Sequence, residues 1–278
     1  VKMDKLDLHI HTSYSDGVFS PRELLEMLQQ YSYELISITD HDTIEGCIQG
    51  MKLAAHYDIR ILPGVEVSSL CWGRDVHILA YGFDVKNKSF KSFLHGIEKG
   101  RLKRAKKIVK LLAALGMSLD FRDVINLTGK LNLVGRPHIA RALIDAGYCR
   151  DTRDVFDNYI GEGKSCYVPK PAPEAEFVIE AIKKAGGVSV LAHPYIYRDD
   201  DLVQHLIDIG IQGLEVFYSR HTVDETARYK KMADEHGLIK TGGSDFHGHG
   251  SDLNFFGFFS APSSVAEDLS EYIKKCGI

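Results

Sequence analysis

Apolar residues follow two rhythms along this chain, and the change from one to the other divides it. Near the start, Leu6, Leu8 and Ile10 alternate with Asp7, His9 and His11, the period-2 pattern of a strand over Lys5–His11. That geometry sets His9 and His11 side by side on one face. Asp16-Gly17 makes a turn, and Ser20-Pro21-x-Glu23 then opens a helix with Ser20 as N-cap. Leu24, Leu25, Leu28 and Tyr31 supply its apolar stripe. Leu35–Ile38 predicts a second strand, running into Thr39-Asp40-His41-Asp42. A helix over Ile44–Tyr57 follows, and Ile59–Leu62 leads into a third strand that reaches Glu66 and Ser68. Asp75–Gly82 is a fourth.

From about Asn87 to Phe177 the pattern turns helical. Leu102, Ala105, Ile108, Val109 and Leu112 form one apolar helix face. Lys99, Arg101, Lys103, Arg104, Lys106, Lys107 and Lys110 crowd the rest, which reads as a solvated charged face, with a phosphate-attracting rim as the sharper alternative. Asn132–Ala140 opens another helix, and Gly161–Lys164 is a turn carrying a lysine. Residues 87–177 therefore read as an inserted helical lid, with 1–86 and 178–278 forming one α/β body. There the strand–helix rhythm returns: helix Glu174–Ala185, strand Val188–Pro194, helix Asp201–Ile209, strand Gly213–Tyr218, helix Val223–His236 and strand Ile239–His247. The aromatic run Phe255–Phe259 reads as core packing. Such alternation predicts a parallel sheet or barrel.

Of seven strand candidates, six end in a potential metal ligand: His9 and His11, His41, Glu66, His77, His193, then Asp245 and His247. The remaining strand ends in Glu215 and Tyr218. In parallel α/β folds the carboxyl ends of strands converge on one face, so residues far apart in sequence meet there. Imidazoles mixed with carboxylates, and no thiolate, suit zinc, manganese or iron. His56, His95, His205 and His236 fall in or beside helical patterns and read as surface or packing residues, while His249 just follows the His247 motif.

Composition narrows the picture. A chain of 278 residues suits one large α/β domain with an insertion, and its net charge of −4 argues against a surface that coats nucleic acid. The five cysteines are scattered without paired spacing, as expected for reduced thiols in a cytoplasm. No apolar run is long enough for a bilayer, and no leader pattern opens the chain. Cytoplasmic localisation, no membrane association and no obligatory protein partner are the expectations.

The motifs DLHIHTSYSDG, ITDHDT, PGVEVS, VHILAYGF, VLAHP and GGSDFHG together resemble the polymerase and histidinol phosphatase (PHP) family, in the family's order and over nearly the whole chain. The resemblance implies a distorted seven-stranded (β/α)7 barrel with two or three divalent metal ions (Mn, Fe or Zn) at its mouth. It implies that His9, His11, Glu66 and Asp245 hold one metal. Glu66 then bridges to a second, completed by His77 and His193, and Asp16, His41 and His247 hold a third. The chemistry expected is phosphoester hydrolysis by metal-activated hydroxide, with Glu66 and Asp245 central to catalysis. Arg136, Lys164 and Tyr218 are the candidate substrate contacts, and His138 and His221 the candidate leaving-group acids.

The segments GRPHIARALIDAGY and YIGEGKSCYVPK resemble stand-alone members of the family that act on small nucleotides. This implies removal of the 3′-phosphate of nucleoside 3′,5′-bisphosphates and/or trimming of short 5′-phosphorylated RNA. A cyclic phosphodiesterase or histidinol-phosphate phosphatase is the nearest competitor. A non-catalytic metal-binding module and an amidohydrolase are the alternatives of other classes; the second lacks a strand-end lysine that could be carbamylated.

Overall fold

A proline splits what the apolar pattern presents as one third strand. Leu62 still donates its N–H to Ile36 O (2.9 Å), but Pro63 has no N–H to continue the ladder, and its carbonyl accepts from Gly82 instead (2.9 Å). The computed structural model, which describes residues 5–127, 134–250 and 257–275, therefore has eight strands among the described residues. Asn132, Leu133, Phe255 and Cys276 lie outside them. Strands β1 (Lys5–Ile10), β2 (Tyr33–Ile38) and β3 (Arg60–Ile61) form a parallel sheet in that order. A second sheet runs β4 (Gly64–Cys71), β5 (Arg74–Tyr81), β6 (Val188–Leu191), β7 (Gly213–Tyr218) and β8 (Ile239–Gly243).

The second sheet is not wholly parallel, contrary to the expectation. β4 and β5 are joined by only Trp72 and Gly73, both at positive φ (53° and 74°). So short a turn can join only antiparallel neighbours, and β5 is antiparallel to β6 as well. β6, β7 and β8 pair in parallel. Isolated parallel bridges, Ile10 with Phe246 and His41 with Glu66, link the ends of the two sheets. No continuous ladder closes them into a barrel among the described residues.

Helices α1 (Pro21–Gln30), α2 (Glu45–Leu53), α7 (Ala175–Lys184), α8 (Asp200–Asp208), α9 (Val223–Glu235) and α10 (Ser264–Lys275) belong to the α/β body. The expected capping box of α1 forms: Glu23 Oε2 accepts the Ser20 N–H at 2.8 Å, and Ser20 Oγ accepts the Glu23 N–H at 3.3 Å. Its apolar stripe buries Leu24, Leu25 and Leu28 in a cluster with Ile10, Ile36 and Ile38. Leu6 and Leu8 pack in a second cluster with Tyr81, Val190, Val265 and Leu269.

The chain divides into two compact units, residues 1–94 with 173–278, and residues 95–172. Most of α3 (Lys88–Ala114), with α4 (Phe121–Asn126), α5 (Arg136–Asp145) and α6 (Thr152–Val155), makes the second. It has its own core of Ile108, Leu112, Val124, Ile139, Leu143, Val155 and Ile160. Lys103, Lys106, Lys107 and Lys110 are exposed, whereas Arg104 donates to Val168 O at 2.7 Å. Among the described residues no helix is long and apolar enough to cross a membrane.

Candidate metal centre

The two imidazoles of β1 set the centre. His9 and His11 are fully buried, and their Nε2 atoms lie 3.4 and 3.2 Å from Glu66 Oε2 and 3.4 and 3.3 Å from Asp245 Oδ1. Glu66, on β4, also meets His41 Nδ1 at 3.0 Å, His77 Nδ1 at 2.9 Å and His193 Nε2 at 3.0 Å. Asp16 lies 3.3 Å from His247 Nε2 and 3.6 Å from both His41 Nε2 and His11 Nδ1. The structure thus brings all nine sequence-predicted ligand positions into one cluster. Their donor atoms make three groups, each within 4.8 Å: His9, His11, Glu66 and Asp245; His11, Asp16, His41 and His247; His41, Glu66 and His77. A cleft of about 310 Å³ opens beside Glu66, with Asp75, Ile196 and Tyr197 in its wall.

His77 arrives by a different route from the one expected. It is the fourth residue of β5, not the end of a strand. Because β5 is antiparallel, its first half lies beside the carboxyl ends of the parallel strands. The register pairs Ser68 with His77 and Glu66 with Leu79, so His77 and Glu66 share a face. His193 and Asp245 each follow a strand end in the left-handed region (φ 32° and 57°), where a non-glycine residue is strained and is held by its surroundings.

Gly243 makes the approach of β8 to β1 possible. A Cβ there would stand 2.1 Å from His9 Cβ and 2.6 Å from His9 N, neither of which can retreat. Gly243→Ala is expected to lower stability by roughly 1–3 kcal/mol through overpacking. Thermal unfolding checks this, and a wild-type melting temperature would contradict the close approach.

Nε2 of His9 and of His11, Nδ1 of His41 and Oε2 of Glu66 are buried without any hydrogen bond. Each such atom costs about 1–3 kcal/mol unless something satisfies it. Four of them converging from separate elements fit a cation, and the oxygen and nitrogen donors fit a hard to borderline divalent ion. Among the described residues no thiolate takes part: Cys47, Cys71, Cys149 and Cys166 are buried elsewhere. Protons hold the metal-free cluster together. Burial opposes ionisation of Glu66, yet the electrostatic influence of the adjacent His41, His77 and His9 imidazoles keeps its carboxyl well below the usual range. Burial likewise opposes charge on His11, but the facing carboxylates of Asp245, Glu66 and Asp16 prevail and raise it to about 10. His9 is raised well above its ordinary value against burial, by Glu215, Glu66 and Asp245.

Three buried carboxylates outside the predicted set support the cluster. Glu215 on β7 accepts from His9 Nδ1 at 2.9 Å and from the His193 N–H at 2.7 Å. Asp40 accepts from Thr12 N, Thr12 Oγ1 and Ser15 Oγ, each at 2.7 Å, and Ser15 Oγ lies 3.3 Å from His11 Nδ1. Asp7 accepts from His9 N and Ser244 N, and burial raises it to about 6. The signal for Glu215 was present: a carboxylate between Leu214 and Val216 in a buried strand must be paired.

The predicted substrate and acid residues are placed as follows. Tyr218 donates its hydroxyl to Asp245 Oδ2 at 2.9 Å. His221 Nδ1 donates to Val216 O at 2.9 Å, its Nε2 is buried without a hydrogen bond, and burial lowers its pKa, so the ring is neutral at neutral pH. Arg136, His138 and Lys164 belong to the second unit. Arg136 opens α5 with its guanidinium 5.4 Å from the Phe156 ring, His138 Nδ1 accepts the Gly135 N–H at 3.1 Å, and the Lys164 N–H donates to Gly161 O at 3.1 Å.

An α/β fold with histidines and carboxylates gathered at strand ends defines a metal-dependent hydrolase. The PHP domain family matches residues 7–184, and the chain belongs to that family. It is a metal-dependent phosphoesterase. It is 36% identical, over 89% of both chains, to a 3′,5′-nucleoside bisphosphate phosphatase of Chromobacterium violaceum. It is 33% identical to a 5′-3′ exoribonuclease of Haemophilus influenzae, over 87% of this chain and 90% of that one. In structure it matches a Bifidobacterium adolescentis protein, provisionally assigned as a metal-dependent phosphoesterase, with a TM-score of 0.80 and 30% identity over 96% of this chain and 95% of that one.

Proposed function

We propose that the protein releases the 3′-phosphate of nucleoside 3′,5′-bisphosphates and/or trims short 5′-phosphorylated oligoribonucleotides, in the cytoplasm and without an obligatory protein partner. What carries the reading is the convergence of nine imidazole and carboxylate side chains with four donor atoms left unbonded. Likeness to the bisphosphate phosphatase over most of both chains supports the substrate class. The sheets, with their bridges at Ile10 and His41, are read as a distorted (β/α)7 barrel whose mouth is this cluster.

In this reading two or three divalent ions (Mn, Fe or Zn) are held by His9, His11, Glu66 and Asp245, by Glu66 with His77, His193 and His41, and by Asp16, His11, His41 and His247. When bound, such ions lower the pKa of water and neutralise charge on phosphoryl oxygens. The protein's part is to hold that geometry. Glu66 is shared between groups: His9, His11 and His41 face its Oε2, and His77 and His193 face its Oε1. Tyr218 keeps Asp245 turned toward His9 and His11. His221 is the candidate leaving-group acid: its ring must first take up a proton on Nε2, which makes no hydrogen bond, and then passes that proton to the leaving oxygen and returns to the neutral form that burial favours. Arg136 and Lys164 are retained as cations for phosphoryl oxygens, and His138 as a second candidate acid, on sequence support alone.

Adenosine 3′,5′-bisphosphate supplied with manganese is expected to yield inorganic phosphate and the 5′-monophosphate, identified by chromatography. No release from a metal-loaded protein, or release that leaves the 3′-monophosphate, would contradict the assignment.

A further inference from the structure

We propose that Glu215 is a positioning residue that selects the tautomer of His9, and that it does so because one of its oxygens is committed to the backbone of His193. The inference rests on the reading of His9 as a metal ligand. Glu215 is completely buried on β7. Its Oε1 lies 2.9 Å from His9 Nδ1 and its Oε2 accepts the His193 N–H at 2.7 Å. A carboxylate only accepts, so the Nδ1 that faces it must carry the proton. In the neutral form of the ring that a cation requires, Nε2 is then left with its lone pair, and Nε2 is the atom that lies against Glu66 and Asp245 without a hydrogen bond of its own. One carboxylate therefore prepares a ligand of the first group and also holds the backbone of His193, whose Nε2 meets the other oxygen of Glu66, Oε1, at 3.0 Å.

The two bonds together make an unusual prediction for glutamine. A backbone N–H can only donate, so the glutamine carbonyl must turn to His193. Its NH2 must then face His9 Nδ1, which becomes the acceptor, and the ring proton moves to Nε2. That proton would sit where the cation is to be bound. The isostere is thus more damaging than a truncation. Glu215→Ala leaves a polar gap in which water can accept from both N–H groups and keep the productive tautomer.

The experiment is a calorimetric titration of the full chain and both variants with Mn2+, with circular dichroism as the check of folding. Glu215→Gln is expected to bind about 10–100-fold more weakly than wild type, the usual effect of removing an outer partner of a metal-bound histidine. Glu215→Ala is expected to bind more tightly than Glu215→Gln. Glutamine matching wild type, or alanine weaker than glutamine as simple loss of packing would give, overturns the proposal. The wild-type protein loaded with Zn2+ supplies a reading that needs no variant: long-range nitrogen–proton correlation spectra should show the His9 proton on Nδ1. An unprotonated Nδ1 overturns the proposal even if a variant fails to fold. A wild type that binds no Mn2+ overturns it together with the metal reading, whereas an unaffected Glu215→Gln beside a metal-binding wild type overturns it alone.

Discussion

His9→Ala or Asp245→Asn is expected to lose metal and nearly all turnover while keeping the fold. His9 Nε2 and His11 Nε2 both face Asp245 Oδ1 and Glu66 Oε2, so His9→Ala removes a donor from the group with the most buried members and Asp245→Asn replaces an anionic donor there by a weaker neutral one. Bound metals contribute several kcal/mol to stabilising a phosphoryl transition state, so kcat/KM should fall by roughly a thousandfold or more. The fold should survive because Leu6, Leu8 and Ile10 carry the packing of β1 in two core clusters. Metal analysis, phosphate release and far-ultraviolet circular dichroism check the three parts. Full activity in either variant would remove the residue from the centre.

Manganese affinity should rise steeply with pH, and this is the second large effect. In the metal-free protein the buried carboxylates keep protons on the imidazoles, with His11 raised to about 10 and His9 well above its ordinary value. A divalent ion needs those nitrogens unprotonated, so binding must expel the protons. Both folded-state values are raised, so the cost is present throughout the neutral range and fades only as pH climbs through them. Each proton displaced makes affinity about tenfold stronger per pH unit below that limit. With two expelled, affinity at pH 8 should exceed that at pH 7 by about a hundredfold. Titrations in buffers of different ionisation enthalpy count the protons directly. A pH-independent affinity, with no proton release, would show that the nitrogens are not displaced from their carboxylate partners.

Much of this centre was legible because its chemistry obeys simple periodicities. His9-x-His11 on an alternating strand, and ligand-type residues recurring at strand ends, need only the rule that such ends converge. The family motifs then specified the grouping, although His41 proves to stand in two groups and not one. Pro63 is where the reading of strands failed, since its missing N–H separates β3 from β4 and hands Glu66 to a different sheet. His77 was found as a residue but misplaced as a strand end, because the two-residue turn at Trp72-Gly73 that reverses β5 was not read as a hairpin. Glu215, Asp40 and Asp7 were not assigned roles. Their partners lie on other strands or in the backbone, and no spacing rule reports a hydrogen bond made across a sheet. The same holds for His221, whose Nδ1 is bound to the Val216 carbonyl and whose neutrality follows from burial.

The central claim, that these nine side chains hold divalent ions, is tested most directly by anomalous diffraction from crystals grown with Mn2+. The account predicts two or three peaks within the cluster, one of them between His9, His11, Glu66 and Asp245. Crystals showing no anomalous peak among these residues, at a manganese concentration that supports turnover, would contradict it.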